Sequence, residues 1–352
     1  MNCTPSKVNS SASNNSFSGI ANDLPDLCNF SANCGSGYHW TWYLFMTFLA
    51  GVTCSANLIS LVVLSRLRTT LTPALRLALM NLSVTDVVGS LSYIYHSIMS
   101  KLNISDMEVE CKARYLFYVS MNVVTMDTLI YVSVERLLAV VAPFFHSRVD
   151  GRKFTAVALV VIWISAITVI ASGMHRLSSE IGICIYHVLV PRVTHLINAV
   201  LGLVGIGFIV CSNISLYIRA RREIILIGRT LVGAIDNRRK QIADMAVKAA
   251  STTLAVVIPF ATLNTPLYVL MLVFYSSPEF MYSCRSVELL TAFSTLLVVN
   301  SLCNPVIYAW KLQPVQAELR KMIPCCARRP GPLPKATAVT FVDPVAASTN
   351  AA

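Results

Sequence analysis

Residues 111–143 read CKARYLFYVSMNVVTMDTLIYVSVERLLAVVAP, a long apolar stretch that ends with an acidic residue beside an arginine. Arg136 follows Cys111 by 25 residues, which is about 37 Å along a helix. The hydrocarbon core of a bilayer is about 30 Å thick. The stretch therefore predicts a membrane-crossing helix with a thiol at one face and the Glu135–Arg136 pair at the other.

The composition indicates an integral membrane protein. Of the 352 residues, 55% are hydrophobic and 13% are charged, and soluble domains carry about twice that charged fraction. The net charge of +11 falls in short clusters between apolar runs, without the cysteine and histidine spacing of zinc fingers, so nucleic acid is not an expected partner. The sequence has no His-Glu-x-x-His pair, phosphate loop or Gly-x-Ser-x-Gly elbow, so we do not expect an enzyme.

Seven apolar stretches are each long enough to cross a bilayer as a helix. The sixth and seventh contain Pro259 and Pro305, which membrane helices tolerate because neighbouring groups bond the freed carbonyls. A short amphipathic stretch follows at 312–323. The predicted fold class is an all-α membrane protein, a seven-transmembrane helix bundle with a short amphipathic eighth helix. The predicted spans are 40–64, 75–98, 112–141, 154–174, 193–217, 243–274 and 286–310.

The distribution of basic residues predicts the orientation. Arginine and lysine cluster in the odd-numbered loops and the tail, whereas the even-numbered loops carry mixed charge. The positive-inside rule then places the odd loops and the C-terminus in the cytoplasm. We expect a multi-pass plasma-membrane protein with a glycosylated extracellular N-terminus at 1–39, a transmembrane domain at 40–312, and an amphipathic helix with a cytoplasmic tail at 313–352.

Modification sites agree with this orientation. Cys325 and Cys326 follow the amphipathic stretch, and juxtamembrane cysteines are candidates for palmitoylation, with an unmodified pair of thiols as the alternative. Sequons crowd the polar N-terminal segment and favour an exoplasmic position for it. They begin at Asn2, Asn9, Asn14 and Asn29.

Several cysteines fall on the exoplasmic side, where disulfides persist. Cys111 begins the third span and Cys184 lies in the loop before the fifth, so a bridge between them would tie that loop over the third helix. Cys284 could pair with Cys28 or Cys34, and the sequence leaves that choice open.

Polar groups inside the predicted spans are costly, so each needs a partner or a role. Asp86 lies mid-span, with Asn57 in the first span and Asn300 and Asn304 in the seventh. Their oxygens could hold a hard monovalent cation such as sodium. A water-mediated structural network without an ion is the alternative.

The third span has one patterned face. Polar and aromatic residues in its outer half suit the lining of a water-accessible cavity. Asp127 lies off this face, about 200° from Thr125, and could bond to a neighbouring helix. The face comprises Tyr118, Asn122, Thr125, Leu129, Val132 and Arg136, at spacings of three and four.

In its motifs the chain resembles the rhodopsin-like (class A) G-protein-coupled receptors over residues 40–326. The motifs occur in family order along seven spans of matching orientation, although no subfamily is assigned. They are Asn57, Asn81-Leu82-x-x-x-Asp86, Cys111 with Cys184, Glu135-Arg136-Leu137 with Pro143, Trp163, Tyr217, Pro259 and Asn304-Pro305-x-x-Tyr308.

The resemblance implies roles for the matched residues. Arg136 would be held by Glu135 at rest and would line a G-protein cavity once helix six moves outward, while Tyr217 and Tyr308 rearrange toward Arg136 through water. The switch set would be Glu135, Arg136, Tyr217, Asn304, Pro305 and Tyr308. The family's sodium pocket would be Asp86, Thr125, Asn300 and Asn304.

The ligand class is narrowed by position. Tyr118 stands where aminergic receptors have an aspartate, and Val298 stands where opsins have the retinal lysine, so a peptide or a small non-aminergic molecule is expected. The candidate ligand-binding residues are Tyr118, Asn122, Phe260, Asn264 and Ser294.

Two departures from the family pattern concern coupling between the helices. Val257 stands where the family usually has the tryptophan of Cys-Trp-x-Pro, with Phe260 as a substitute. The fifth span has no proline, only Gly202, Gly205 and Gly207.

We therefore expect a receptor that binds an extracellular ligand and activates a heterotrimeric G protein, with arrestin as a further cytoplasmic partner. The alternatives are a seven-span transporter or channel, or a receptor-like protein that does not signal. Apart from an allosteric sodium ion, no cofactor is expected.

Overall fold

The computed structural model describes residues 40–67, 71–102, 108–141, 151–174, 192–230, 234–281 and 283–322. The regular structure within these ranges is helical, and one helical turn, Pro278–Met281, precedes α7. In chain order the main helices are α1 Trp40–Arg66, α2 Pro73–Leu102, α3 Glu108–Val141, α4 Gly151–Met174, α5 Arg192–Thr230, α6 Ala234–Ser276, α7 Cys284–Lys311 and α8 Gln313–Met322.

Within these ranges, seven helices are long and apolar enough to cross a membrane, and they are α1 to α7. This confirms the predicted all-α bundle of seven spans. Helices that follow one another in the chain pack side by side, except α4 and α5. Helix α7 returns to α1, and α3 packs against α2, α4 and α5. Because α3 carries Tyr118 in its first half and Arg136 near its last residue, we call the two ends of the bundle the Tyr118 end and the Arg136 end.

Two helices extend well beyond the predicted spans. Helix α5 continues to Thr230 rather than ending at 217, and α6 begins at Ala234 rather than at 243. Both extensions are rich in charged residues, which a search for apolar runs passes over. A helix satisfies its backbone hydrogen bonds internally, so it does not have to stop where the apolar sequence stops.

The main apolar core lies in the half of the bundle toward the Arg136 end. It joins α1, α2, α3, α5, α6, α7 and α8 through buried side chains such as Leu64, Leu82, Leu129, Val257 and Tyr308. A second cluster, around Phe274 and Met281, closes the opposite end between α5, α6 and the helical turn. A third joins α1, α2 and α7 around Met46 and Tyr93.

Helix α8 is held mainly by apolar contacts. Val315 is 3% exposed and belongs to the main core, against which Leu319 and Met322 pack. Glu318 adds ion pairs with Arg66 at 3.7 Å and Lys321 at 3.0 Å. Both cations are largely exposed, and exposed pairs contribute little stability, so burial of the apolar face is what fixes α8 beneath α1.

Candidate functional site

The Arg136 end carries the predicted ion pair. Nε of Arg136 lies 3.0 Å from Oε2 of Glu135, and both side chains are largely buried. A second guanidinium nitrogen, Nη2, is buried without a hydrogen-bond partner. The acid therefore neutralises Arg136 but leaves part of its donor capacity unused.

The two tyrosines that were predicted to rearrange toward Arg136 make no hydrogen bond to it among the described residues. Tyr308 of α7 is 1% exposed and packs in the main core, where its hydroxyl has no hydrogen-bond partner. The Tyr217 hydroxyl of α5 instead accepts a hydrogen bond from Nε of Arg221 at 3.1 Å. Among the described residues, no hydrogen bond or ion pair links either tyrosine to Arg136.

A buried hydrogen bond that the sequence analysis missed joins α5 to α3 close to the ion pair. Nδ2 of Asn213 donates to Oγ of Ser133 and to the carbonyl of Ile209, both at 2.8 Å. Ser133 is 1% and Asn213 is 2% exposed. Since Ser133 lies one turn before Arg136, this bond connects α5 directly to the helix that carries the ion pair. The position of Asn213 within an apolar span could have indicated this hydrogen bond, because a buried amide needs a partner.

A comparable polar junction holds α2, α3 and α4 together. Nδ2 of Asn81 donates to Oγ1 of Thr128 at 2.9 Å, and the indole of Trp163 donates to Oδ1 of Asn81 at 2.8 Å. Asn81 and Trp163 both belong to the motifs that carry the family resemblance. Their geometry assigns them a structural role, since each satisfies a group of the other.

Asp86 lies at the centre of a polar group between α1, α2 and α7. Its carboxylate is buried and accepts a hydrogen bond from Nδ2 of Asn304 at 2.8 Å, and the Ser301 side chain lies beside it. Nδ2 of Asn57 donates to the carbonyls of Ser301 at 3.1 Å and Thr53 at 3.0 Å. Pro305, which follows Asn304, is buried in the same helix. Asp86 and Asn304 are thus brought together as predicted.

The other two residues of the expected sodium pocket are buried but not joined to Asp86. Thr125 is 7% and Asn300 is 6% exposed, and no hydrogen bond between either and Asp86 occurs in the described part of the chain. Oγ of Ser83 is buried without a partner, and it lies three residues before Asp86 on one face of α2. Carboxylate, amide and hydroxyl oxygens are a ligand set that suits a hard cation or bridging waters equally.

At the Tyr118 end, aromatic side chains of α2 and α3 meet. The rings of Tyr118 and Tyr93 are 5.6 Å apart in a T-shaped arrangement, and Ser294 of α7 lies beside Tyr93. Nδ2 of Asn122 lies 3.5 Å from the carbonyl of Tyr118, one turn earlier in the same helix. Three of the five candidate ligand-binding residues therefore lie around one α2–α3–α7 junction.

The remaining two candidates lie on α6. Nδ2 of Asn264 donates to the carbonyl of Phe260 at 2.8 Å, and both side chains are buried. Phe260 packs within the main core with residues of α3 and α5, including Met126 and Ile206. In this arrangement Phe260 is a core residue rather than part of an open wall.

The position of α6 along α3 shows that Val257 does not lie where the sequence analysis placed it. The Tyr268 hydroxyl of α6 lies 3.7 Å from Sδ of Met126, in the middle of α3. Val257 precedes Tyr268 by eleven residues, about 16 Å along the axis toward the Arg136 end. It packs there in the main core, so the expectation that Val257 stands below the ligand, where the family has its tryptophan, was wrong.

A second proline in α6 explains the error. The helix contains both Pro259 and Pro266, and the sequence interpretation aligned Pro259 with the family's Cys-Trp-x-Pro. Because Pro266 lies beside Tyr268, it is the proline at mid-depth. Asn264, two residues before Pro266, then occupies the position of the usual tryptophan.

Several expected modification sites lie outside the described residues or have side chains that are not described. Among the described cysteines, Cys54, Cys211 and Cys303 are free, whereas Cys284 at the start of α7 is disulfide-bonded. The partner of Cys284 is not among the cysteines whose side chains are described. The following predictions therefore remain predictions: the disulfide of Cys111 with Cys184, palmitoylation at Cys325 and Cys326, and glycosylation at Asn2, Asn9, Asn14 and Asn29.

Comparison with known proteins agrees with this arrangement. The family "7 transmembrane receptor (rhodopsin family)" matches residues 56–308, and the chain belongs to it. No curated protein matches the chain. The matched residues include Glu135, Arg136, Asp86 and Asn304, and the match favours a receptor over the seven-span transporter or channel.

Proposed function

We propose that this rhodopsin-family receptor binds an extracellular ligand at its Tyr118 end and activates a heterotrimeric G protein at its Arg136 end. The observation that carries the proposal is the Glu135–Arg136 ion pair, in which Nη2 of Arg136 remains buried without a partner. A guanidinium offers five N–H donors and no acceptor. A partly satisfied arginine close to the end of a membrane helix is therefore suited to receive an acceptor from a cytoplasmic protein.

Two arrangements of the Arg136 end follow from the groups around it. In the observed one, which we take as the resting arrangement, the buried Tyr308 hydroxyl has no partner and the Tyr217 hydroxyl is bonded to Arg221. A buried polar group without a partner costs about 1–3 kcal/mol. Outward movement of α6 would admit water and let Tyr308 recover that free energy. A ligand that binds the second arrangement more tightly shifts the population toward it.

The Tyr118 end supports a ligand that needs no buried ion pair. Tyr118, Asn122, Asn264 and Ser294 offer uncharged hydroxyl and amide groups. Without a carboxylate at position 118, an ammonium ligand would find only a weaker cation–π face. We therefore propose a peptide or a small non-aminergic molecule as the ligand, reached from outside the plasma membrane with the N-terminus extracellular.

Asp86 is the proposed site of an allosteric sodium ion. Its buried carboxylate lies beside Asn304 and Ser301, and the partnerless oxygens of Asn57 and Ser83 are available in the same layer. Thr125 and Asn300 would supply further oxygens after small rotations. Held there, a cation would balance the buried charge of Asp86 and favour the arrangement in which α2 and α7 remain bonded.

Covalent modification and a second cytoplasmic partner complete the proposal. The receptor would carry glycans on its N-terminal segment, and arrestin would compete with the G protein at the Arg136 end. A disulfide between Cys111 and Cys184 would fix the loop before α5, and palmitate on Cys325 and Cys326 would hold the end of α8 at the membrane.

A ligand-library screen with a promiscuous G-protein reporter tests the proposed function in cells. Arg136→Ala should abolish the response to any active ligand at matched surface expression. Arg222→Ala, which changes an exposed arginine of α5, should keep it. A full response from Arg136→Ala would overturn the role of that residue. A receptor that reaches the surface and never raises the reporter above empty cells would support the non-signalling alternative.

A further inference from the structure

Helices α5 and α6 approach each other closely at Gly202. A Cβ built on Gly202 would lie 2.6 Å from Cζ of Tyr268, and other carbons of the same ring would be nearer still. Carbon atoms in contact are normally about 3.5–4.0 Å apart. The Tyr268 ring therefore rests on the backbone of α5, in space that the side chain of any other residue at position 202 would need.

Gly205 continues the same surface one turn further along α5. A Cβ there would lie 3.1 Å from Sδ of Met126 and 3.5 Å from Cδ1 of Ile130. Met126 is in turn the residue that the Tyr268 hydroxyl approaches, at 3.7 Å. Gly202 and Gly205 thus form a shallow groove on α5 that is filled by one side chain from α6 and one from α3.

Gly207 shows that this closeness is not a general property of glycines in α5. A Cβ added at Gly207 would meet nothing within 4 Å. The same substitution at positions 202 and 207 therefore changes helix propensity equally, while only the first collides with Tyr268. The chain offers a matched control within one helix.

Helix α6 is weakened next to Tyr268. Pro266 lies inside the helix two residues before Tyr268, and a proline cannot donate the hydrogen bond to the carbonyl four residues earlier, which belongs to Thr262. The helix therefore bends more easily at Pro266 than along its stretches without proline. A ring held beside such a point is placed to influence the direction of the turns on either side.

We propose that Tyr268 is a positioning residue for activation: its ring, seated on Gly202, sets the α5–α6 spacing of the resting arrangement, and its withdrawal lets α6 move. This inference rests on the proposed receptor function. It accounts for glycines in α5 where a proline was expected, because a side chain at position 202 would exclude the ring. Tyr268 lies one turn of α6 beyond the ligand candidate Asn264, on the side toward the Tyr118 end.

The clamp predicts how substitutions combine. Gly202→Ala should push the ring out, and Tyr268→Ala should remove it, so each should raise nucleotide exchange without ligand several-fold over the unmodified receptor. Adding Gly202→Ala to Tyr268→Ala should have no further effect, since nothing remains to collide. Tyr268→Phe keeps the ring and Gly207→Ala leaves the groove intact, so both should behave like the unmodified receptor.

The experiment uses the full-length receptor in nanodiscs with purified G protein. Nucleotide exchange is measured with Arg136→Ala as the baseline, and amide hydrogen exchange over 234–258 reports movement of α6 without G protein. In Tyr268→Ala, p-cresol, which has the shape of the missing side chain, should refill the groove and lower both signals. It should leave the unmodified receptor unchanged.

The outcomes separate the clamp from the proposed function. If folded Gly202→Ala and Tyr268→Ala match the unmodified receptor in nucleotide exchange and hydrogen exchange, the clamp is wrong. If hydrogen exchange rises in both variants while no variant exceeds the Arg136→Ala baseline, the clamp stands and the G-protein function fails. If Gly202→Ala does not fold, Tyr268→Ala with and without p-cresol decides, and an unaltered signal there overturns the clamp.

Discussion

Replacing Ser133 with alanine should loosen the contact between α3 and α5 while leaving both helices intact. Oγ of Ser133 accepts from Nδ2 of Asn213 at 2.8 Å, and both residues are almost fully buried. After the substitution Asn213 keeps its bond to the carbonyl of Ile209, but one of its two amide hydrogens has no partner. The loss is therefore one interhelical bond, and the local bonds of α5 remain.

The magnitude follows from two general ranges. Leaving a buried donor unsatisfied costs about 1–3 kcal/mol in proteins, while side-chain hydrogen bonds between membrane helices average about 0.6 and reach about 1.7 kcal/mol. The overlap predicts that Ser133→Ala lowers the free energy of unfolding by about 1–1.7 kcal/mol. Asn213→Leu removes the donor instead, and Ser133 can still donate to the carbonyl of Leu129, so we expect a smaller loss.

The assay is the free energy of unfolding in bicelles, measured by SDS titration for both single variants and the double variant. The interaction energy from this cycle should be at least about 0.6 kcal/mol. Ser165→Ala is the control, because that exposed hydroxyl bonds only to its own helix, at Ile162. If Ser133→Ala costs no more than Ser165→Ala, or if the two single losses simply add, the reasoning is refuted.

Two further predictions concern other parts of the bundle. Asp86→Asn should abolish any rise in apparent melting temperature that NaCl produces over choline chloride at equal ionic strength, because the substitution removes the charge that holds the ion. Equal rises in the variant and the unmodified receptor would exclude sodium binding at Asp86 and support the water-mediated network. Val315→Ala should detach α8 from the main core and cost about 1–3 kcal/mol, whereas Glu318→Gln should cost less than about 1 kcal/mol because its cationic partners are exposed. Unfolding titrations compare the two, and a larger loss for Glu318→Gln would contradict the packing account.

Features set by local sequence were predictable. A bilayer imposes a length on every span, so apolar runs located all seven helices. The Glu135–Arg136 pair involves adjacent residues, and the Asp86–Asn304 bond joins two polar residues at similar depth in an apolar setting, where each is costly unless it finds a partner. In these cases the requirement for a partner could be inferred before the packing was known.

Features set by how helices rotate and slide against one another could not be predicted. Helix α6 contains two prolines seven residues apart, and either could lie opposite the middle of α3. The contact between Tyr268 and Met126 shows that Pro266 is the one at that depth. The seating of Tyr268 on Gly202 depends on the same rotation. Hydropathy also underestimated the lengths of α5 and α6, because it detects only the apolar part of a helix and both helices continue into polar sequence.

The proposed G-protein function requires that Glu135 and Arg136 act as a pair with opposite effects on activation. Glu135→Gln keeps the size of the side chain and removes the charge that neutralises Arg136, so it should favour the arrangement that receives the G protein. Arg136→Ala removes the group that receives it.

The measurement is ligand-independent nucleotide exchange on purified G protein by the receptor in nanodiscs. We expect Glu135→Gln to give faster exchange than the unmodified receptor, Arg136→Ala to fall to the receptor-free rate, and the double variant to equal Arg136→Ala. Exchange by Arg136→Ala above the receptor-free rate, or a double variant as active as Glu135→Gln, would contradict the proposed role of the pair.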